Sequence, residues 1–258
     1  MTRDPPASFH DEEQRLRHVY ELRDRGIHGG RKVSREQRSL FHPGQLFMAQ
    51  SFEWEVLRLL KREGYSQLET RRILDVGCGN GTWLGQLIRY GAEPANLAGI
   101  DLSAERIEQA RMRLPSDVTL VCHSAGAMDF PDAAFDLLFQ CTVFTSILDP
   151  GLKQQVASEM RRVVRPDGLI VWFDYFVDNP RNPDVRGVGR REIHALFADS
   201  HLVLRRVILA PPIARLIGPY SRLACFFLEK LSPLRAYYLA AIRPNKAQVA
   251  EPAMITQR

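Results

Sequence analysis

The chain has 258 residues, 45% of them hydrophobic, with 35 Lys and Arg against 30 Asp and Glu. That size and apolar content suit one larger compact domain, or a domain with a small appendage. No run approaches the roughly 18 consecutive apolar residues of a membrane span, and the first residues have no apolar centre of the kind a leader peptide needs. The basic residues are scattered instead of forming a nucleic-acid-binding stripe, so a cytoplasmic protein with no nucleic-acid partner is expected.

Residues 1–10, with Pro5-Pro6, predict a frayed start, and a charged helix is predicted over 11–25, stopping near Gly26. The stretch GIHGGRKVSREQRSLFHPG, residues 26–44, predicts a mobile loop leading into a helix that carries Met48, Phe52, Val56, Leu59 and Leu60 on one face. Residues 1–70 are thus expected to form an N-terminal helical cap and lid segment ahead of a main domain over 71–258.

From residue 71, short apolar runs alternate with amphipathic helices: RILDV (72–76), LAGID (97–101), VTLVC (118–122), FDLLF (135–139) and GLIVWF (168–173), then LVLRRVIL (202–209) and AYYLAAI (236–242). Ser103 and Asp149 read as helix N-caps, the latter followed by Pro150 at the first helical position, and Gly91 reads as a helix stop. Strands buried on both faces and joined by helices predict an α/β fold: a doubly wound, mostly parallel, seven-stranded Rossmann-like sheet. Cys78, Cys122, Cys141 and Cys225 lack CxxC spacing and are expected to be buried hydrophobes, neither bridges nor zinc ligands.

ILDVGCGNGTWL, residues 73–84, places Gly77, Gly79 and Gly81 between a strand and a helix, where side chains would obstruct a ligand resting on the strand ends. About 20 residues on, GIDLS ends the next strand with Asp101, whose carboxylate suits the two hydroxyls of a ribose. The spacing is G-x-G-x-G, with Thr82 where a dinucleotide loop has its third Gly or Ala. Asp75 would repel a phosphate and attract a cation, so a ligand with ammonium and sulfonium groups fits better than a pyrophosphate.

LDVGCGNG, GIDLS, FPDAAFDLLFQCTVFTSI and EMRRVVRPDGLIVWFDY together resemble, in order through residues 71–175, the class I S-adenosylmethionine-dependent methyltransferases of the type 11/25-like group. The resemblance implies S-adenosylmethionine as cofactor and S-adenosylhomocysteine as product. It implies that Asp75, Gly77, Cys78, Gly79 and Gly81 line the methionine moiety, that Asp101 and Leu102 hold ribose and adenine, and that Gln140 and Cys141 pass beneath the cofactor. Many members carry an acidic residue where this chain has Ser124; Ser124 with Ala125 is expected at the adenine, the alternative being that Ser124 only begins a loop.

Methyl transfer mainly requires alignment of a nucleophile and removal of its proton. Asp174 is a candidate orienting group or base, or a strand-end cap; His123 is a candidate base, or structural. Acceptor contacts are expected from Phe144, Ser146, Tyr175, Asn179 and Arg181, and the resemblance adds Phe41. Some related O-methyltransferases have an acidic metal ligand at the end of the fourth strand; here that strand ends in Gln140, and metal independence is expected. A small-molecule, glycan or lipid-linked acceptor, methylated at oxygen, is the expected substrate. A catalytically silent cofactor-binding partner protein and an NAD-dependent oxidoreductase stay open as alternatives.

Residues 210–234, between the sixth and seventh strands, depart from the short hairpin of related enzymes. Leu216, Tyr220, Leu223, Phe227 and Leu231 form a helical stripe widened by Ile217, Phe226 and Leu228 and flanked by Arg215, Arg222, Lys230 and Arg235. This insertion is expected to fold over the sheet edge, to make a homodimer contact, or to act as a lid with peripheral membrane attachment.

Overall fold

The computed structural model describes residues 9–245 apart from Val33, Arg35, Gln37 and Arg38. The expected frayed start therefore lies almost wholly outside the described residues, as do those four positions of the expected loop.

Seven strands form the main sheet: β3 (Ile73–Val76), β4 (Leu97–Asp101), β5 (Thr119–Cys122), β6 (Phe135–Cys141), β7 (Val164–Tyr175), β8 (Ser200–Leu209) and β9 (Arg235–Pro244). Their order is β5-β4-β3-β6-β7-β9-β8, and β9 runs antiparallel to both of its neighbours. Central strands β3 and β4 are buried throughout, which explains why they read as continuous apolar runs. Edge strand β8 alternates in exposure over its first half, and edge strand β5 exposes its last residue. Cys122 is that residue, so the expectation of burial fails there; Cys78 and Cys225 are buried and Cys141 is half-buried, all four as free thiols.

Helices cover both faces. One face is packed by α2 (Pro43–Arg62), α3 (Thr82–Arg89), α4 (Ala104–Arg111), α7 (Pro211–Ile217) and α8 (Arg222–Lys230). The other is packed by α1 (His10–Asp24), α5 (Pro150–Val163) and α6 (Arg190–Leu196). Helix starts follow the cap chemistry: the Asp149 carboxylate accepts from Leu152 N at 2.6 Å, and the Ser103 hydroxyl accepts from Arg106 N at 3.4 Å.

Two features go beyond the sequence reading. A two-stranded ribbon, β1 (Ile27–His28) with β2 (Arg31–Lys32), occupies part of the expected loop. Its turn abuts the segment after β7, since a Cβ on Gly29 would lie 2.6 Å from Asn182 Cα. The N-terminus of α2 also meets α7 backbone to backbone: a Cβ on Gly44 would lie 2.1 Å from the Ala214 carbonyl oxygen, and one on Gly218 would lie 2.5 Å from Gly44 Cα. Only glycine permits that approach.

Candidate active site

Strand β3 is flanked by β4 and β6, so successive crossovers leave it in opposite directions and open a crevice at the C-terminal strand ends. Gly77, Gly79 and Gly81 all have positive φ, from 54° to 77°, and turn the chain from β3 into α3. At Gly79 an added Cβ would meet nothing within 4 Å. The backbone there faces open space, the condition for a ligand to lie directly on it.

Two carboxyl groups face this loop. Asp101 anchors it, accepting from Gly79 N on one oxygen and from Ser103 N on the other, both at 2.9 Å. Each oxygen keeps a further lone pair for a hydroxyl. Asp75 is buried and has no hydrogen-bond partner among the described residues. Burial, and then the charge of Asp101, push its pKa well above the ordinary range. A buried carboxyl without donors either stays protonated or takes a cation from outside the chain. The Cys78 and Cys141 thiols are also pushed up by burial, which keeps them neutral and excludes them as thiolate nucleophiles at neutral pH.

Asp101, Leu102, His123, Ser124 and Ala125 line one narrow cavity of about 40 Å³, room for about one water molecule. Its other wall is Glu13, Leu16 and Tyr20 of α1, within the segment expected to form a cap though not named individually there. The helix is tied down by polar contacts with the loop after β6. Arg15 donates to the Ser146 carbonyl oxygen at 2.6 Å, Arg23 to Ser146 Oγ at 3.0 Å, and Glu12 accepts from Leu148 N at 2.6 Å. At the far end of α1, Arg106 forks onto Asp24 at 2.8 and 3.0 Å. The only advance signal was the i, i+3, i+4 spacing of Leu16, Val19 and Tyr20 in a helix otherwise read as charged.

Several positions expected at the site have other duties. Ser146 holds α1. Phe144 is wholly buried, its ring 4.2 Å from Trp172, and belongs to the core. Phe41 is 98% exposed. Asn179 and Arg181 are exposed, the Asn179 side chain accepting from Arg181 N. Ser124 Oγ accepts from Gly126 N at 3.1 Å, so it does begin a loop while lining the cavity. His123 stands after edge strand β5 and lines the same cavity as Gly77 and Asp101. Asp174 is buried, and its oxygens accept from Thr145 Oγ1 at 2.7 Å, Tyr175 N at 3.0 Å and Thr145 N at 3.2 Å. Burial raises its pKa to about 6 against the pull of those donors. This is the geometry of a loop anchor. Gln140, also fully buried, locks the same turn by accepting from Val143 N and donating to the Phe173 carbonyl oxygen. Thr142 between them has φ of 60°, a strained value for a β-branched residue.

On the opposite side of the glycine loop an aromatic wall runs from Trp83 through Phe52 and Phe173 to Tyr237 and Tyr175, with ring centroids 4.0–5.1 Å apart. The two tyrosine hydroxyls are hydrogen-bonded to each other. Burial raises both phenol pKa values, and the nearby Arg215 guanidinium pulls them back. Trp83 Nε1 and Arg215 Nε, at the two ends of this wall, are buried donors without an acceptor among the described residues.

Residues 73–168 match the family model described as a methyltransferase domain. That match, over little more than a third of the chain, supports a class I S-adenosylmethionine-dependent methyltransferase domain, a class whose cofactor is S-adenosylmethionine. Over 106 residues it is 35% identical to 2-methyl-6-phytyl-1,4-hydroquinone methyltransferase of Synechocystis, covering 40% of this chain and 31% of that protein. Over 164 residues it is 30% identical to 27-O-demethylrifamycin SV methyltransferase of Amycolatopsis mediterranei, covering 58% of each. The matches therefore span from about a third to under two thirds of the relatives' lengths. Among solved structures, the cyclase SpnF superposes with a TM-score of 0.57 at 17% identity, over 95% of this chain and 99% of that one. That likeness establishes the fold alone, extended to nearly the whole chain.

Proposed function

We propose that this chain transfers the methyl group of S-adenosylmethionine to an oxygen of a small, largely apolar or lipid-linked acceptor, without a metal. The observation that carries the cofactor half is Asp75, a buried carboxyl with no donor of its own beside a glycine loop open to a ligand. A ligand with an ammonium group supplies the missing charge, and Asp101 retains lone pairs for its ribose hydroxyls.

When bound, the cofactor supplies a methyl carbon already activated by sulfonium. Asp75, the glycine loop and Asp101 would hold the cofactor, which would leave as S-adenosylhomocysteine once an acceptor oxygen had taken its methyl group and given up its own proton. The residues of this chain align the pair and exclude water. The aromatic wall offers apolar packing, while Trp83 Nε1, Arg215 Nε and the Tyr175 hydroxyl, which accepts from Tyr237 and keeps its own O–H, are the donors that would hold acceptor oxygens. The acceptors in the relatives' names, a phytyl hydroquinone and a demethylrifamycin, support an oxygen-bearing molecule with an apolar body. Gln140 at the end of β6 has its amide committed to Val143 and Phe173, which supports a metal-independent reaction.

Calorimetric titration with S-adenosylhomocysteine and with NAD, followed by transfer of labelled methyl to quinol and phenol acceptors with and without chelator, tests this reading. Expected are binding of the first ligand alone and chelator-insensitive transfer to oxygen. Tight binding with no transfer to any acceptor would overturn the enzymatic half.

A further inference from the structure

Helices α7 and α8 and the segment entering α2 form a surface whose composition is unusual for one facing water. Phe41, Leu216, Tyr220, Leu223, Phe226 and Phe227 are 46–98% exposed. The Gly44 and Gly218 contact joins the N-terminus of α2 to the end of α7. In α8, at about 100° per residue, Leu223, Phe226, Phe227 and Lys230 fall within one narrow outward stripe, and the buried Cys225 points the opposite way. Scattered single apolar residues are ordinary on a surface; a contiguous patch of this kind marks an interaction site.

The charges around the patch select the occupant. Residues 39–52 contain no carboxylate, and residues 210–235 contain one, Glu229, against four cations, Arg215, Arg222, Lys230 and Arg235. Glu229 is turned inward, accepting from Ser51 Oγ and Leu209 N. None of the four cations forms an ion pair among the described residues. Arg222 and Lys230 are exposed at the rim, and the Lys230 ammonium lies 4.3 Å from the Phe226 ring centroid, its stem along the apolar stripe. In a two-fold contact this patch would meet its own copy, setting cations against cations with no carboxylate between them. An anionic bilayer provides the complement on both counts, acyl chains for the phenyl and leucyl groups and lipid phosphates for the rim.

We infer that this face docks on anionic membrane surfaces, inserting Phe226, Phe227, Leu223 and Tyr220 at the headgroup boundary. Arg215, next to Leu216 of the patch, lies close enough to Tyr175 and Tyr237 to act on their phenols, so the docked face adjoins the side from which an apolar acceptor would arrive. The inference goes beyond the proposed reaction, and the test reads no turnover, so failure of either leaves the other standing.

The test is flotation of the full chain with vesicles of phosphatidylcholine alone and with about 30% phosphatidylserine, at about 0.05 and about 0.5 M salt. Binding is expected only to the phosphatidylserine vesicles, falling at least about fivefold at the higher salt. Phe226→Ser with Phe227→Ser should lower it at least about tenfold at both salts, with melting temperature and S-adenosylhomocysteine affinity unchanged; Arg222→Gln with Lys230→Gln should remove the salt dependence. A wild type that never floats, or a phenylalanine variant that floats equally well, overturns the inference. Self-association abolished by the same substitutions, without flotation, would assign the face to a second copy instead.

Discussion

Asp75 concentrates the physical conflict of the site. Its carboxyl has an ordinary value of 3.8, and burial beside Asp101 raises it well above that in the folded, ligand-free chain. Between those two values the folded state binds the extra proton, so this group makes stability fall as pH rises through the window. Asp75→Asn should therefore raise the melting temperature of the ligand-free protein at neutral pH while weakening cofactor binding at least about tenfold. A ligand cation reverses the shift and expels the proton. Affinity for S-adenosylhomocysteine should accordingly rise with pH until the free carboxyl is ionised and then level off, and calorimetry in two buffers of different ionisation enthalpy would detect the released proton. For Asp101→Ala the loss of the contacts from Gly79 and Ser103, and of a charge-assisted grip on a ribose, should cost about 1.5–3 kcal/mol of cofactor binding. Equilibrium dialysis measures that difference.

Among the elements, the joint between α2 and α7 is the least tolerant of change. Gly44→Ala would place a methyl carbon 2.1 Å from the Ala214 carbonyl oxygen, forcing the helices apart. Overpacking of this kind costs about 1–3 kcal/mol, so the melting temperature should fall by about 2–4 °C for each kcal/mol, with faster proteolytic cleavage between α7 and α8. The sheet strands, the caps at Ser103 and Asp149 and the stop at Gly91 were legible in the sequence because their signals are local: apolar runs, cap side chains and a glycine of positive φ at 93°. The glycine loop and its two aspartates were legible for the same reason. What escaped depends on contacts between residues far apart in the chain. Arg15 reaches Ser146 across 131 positions, and Gly44 means nothing without Gly218 beside it. Phe144 and Ser146 follow β6 just as acceptor residues would, and only the packing of Trp172 and of α1 shows that they are engaged elsewhere.

For the molecule as a whole, α1 closes the nucleoside end while α7, α8 and the aromatic wall frame the other. A cavity of about 40 Å³ is far below the roughly 300 Å³ or more of ordinary ligand sites, so cofactor entry is expected to require displacement of α1 or of its side chains, which would then set residence time. Entry limited by lifting gives an observed association rate that saturates as cofactor concentration rises, and apparent affinity is the intrinsic affinity scaled by the lifted fraction. Glu12→Ala with Arg15→Ala, which releases the ties to Leu148 and Ser146, should abolish that saturation in stopped-flow fluorescence and speed product escape. On the proposed reading the two reactants would enter by separate routes, so a spent cofactor would be retained after the methylated product has gone. Slow turnover under cofactor excess, relieved in the same variant, would show that departure at the nucleoside end sets the pace.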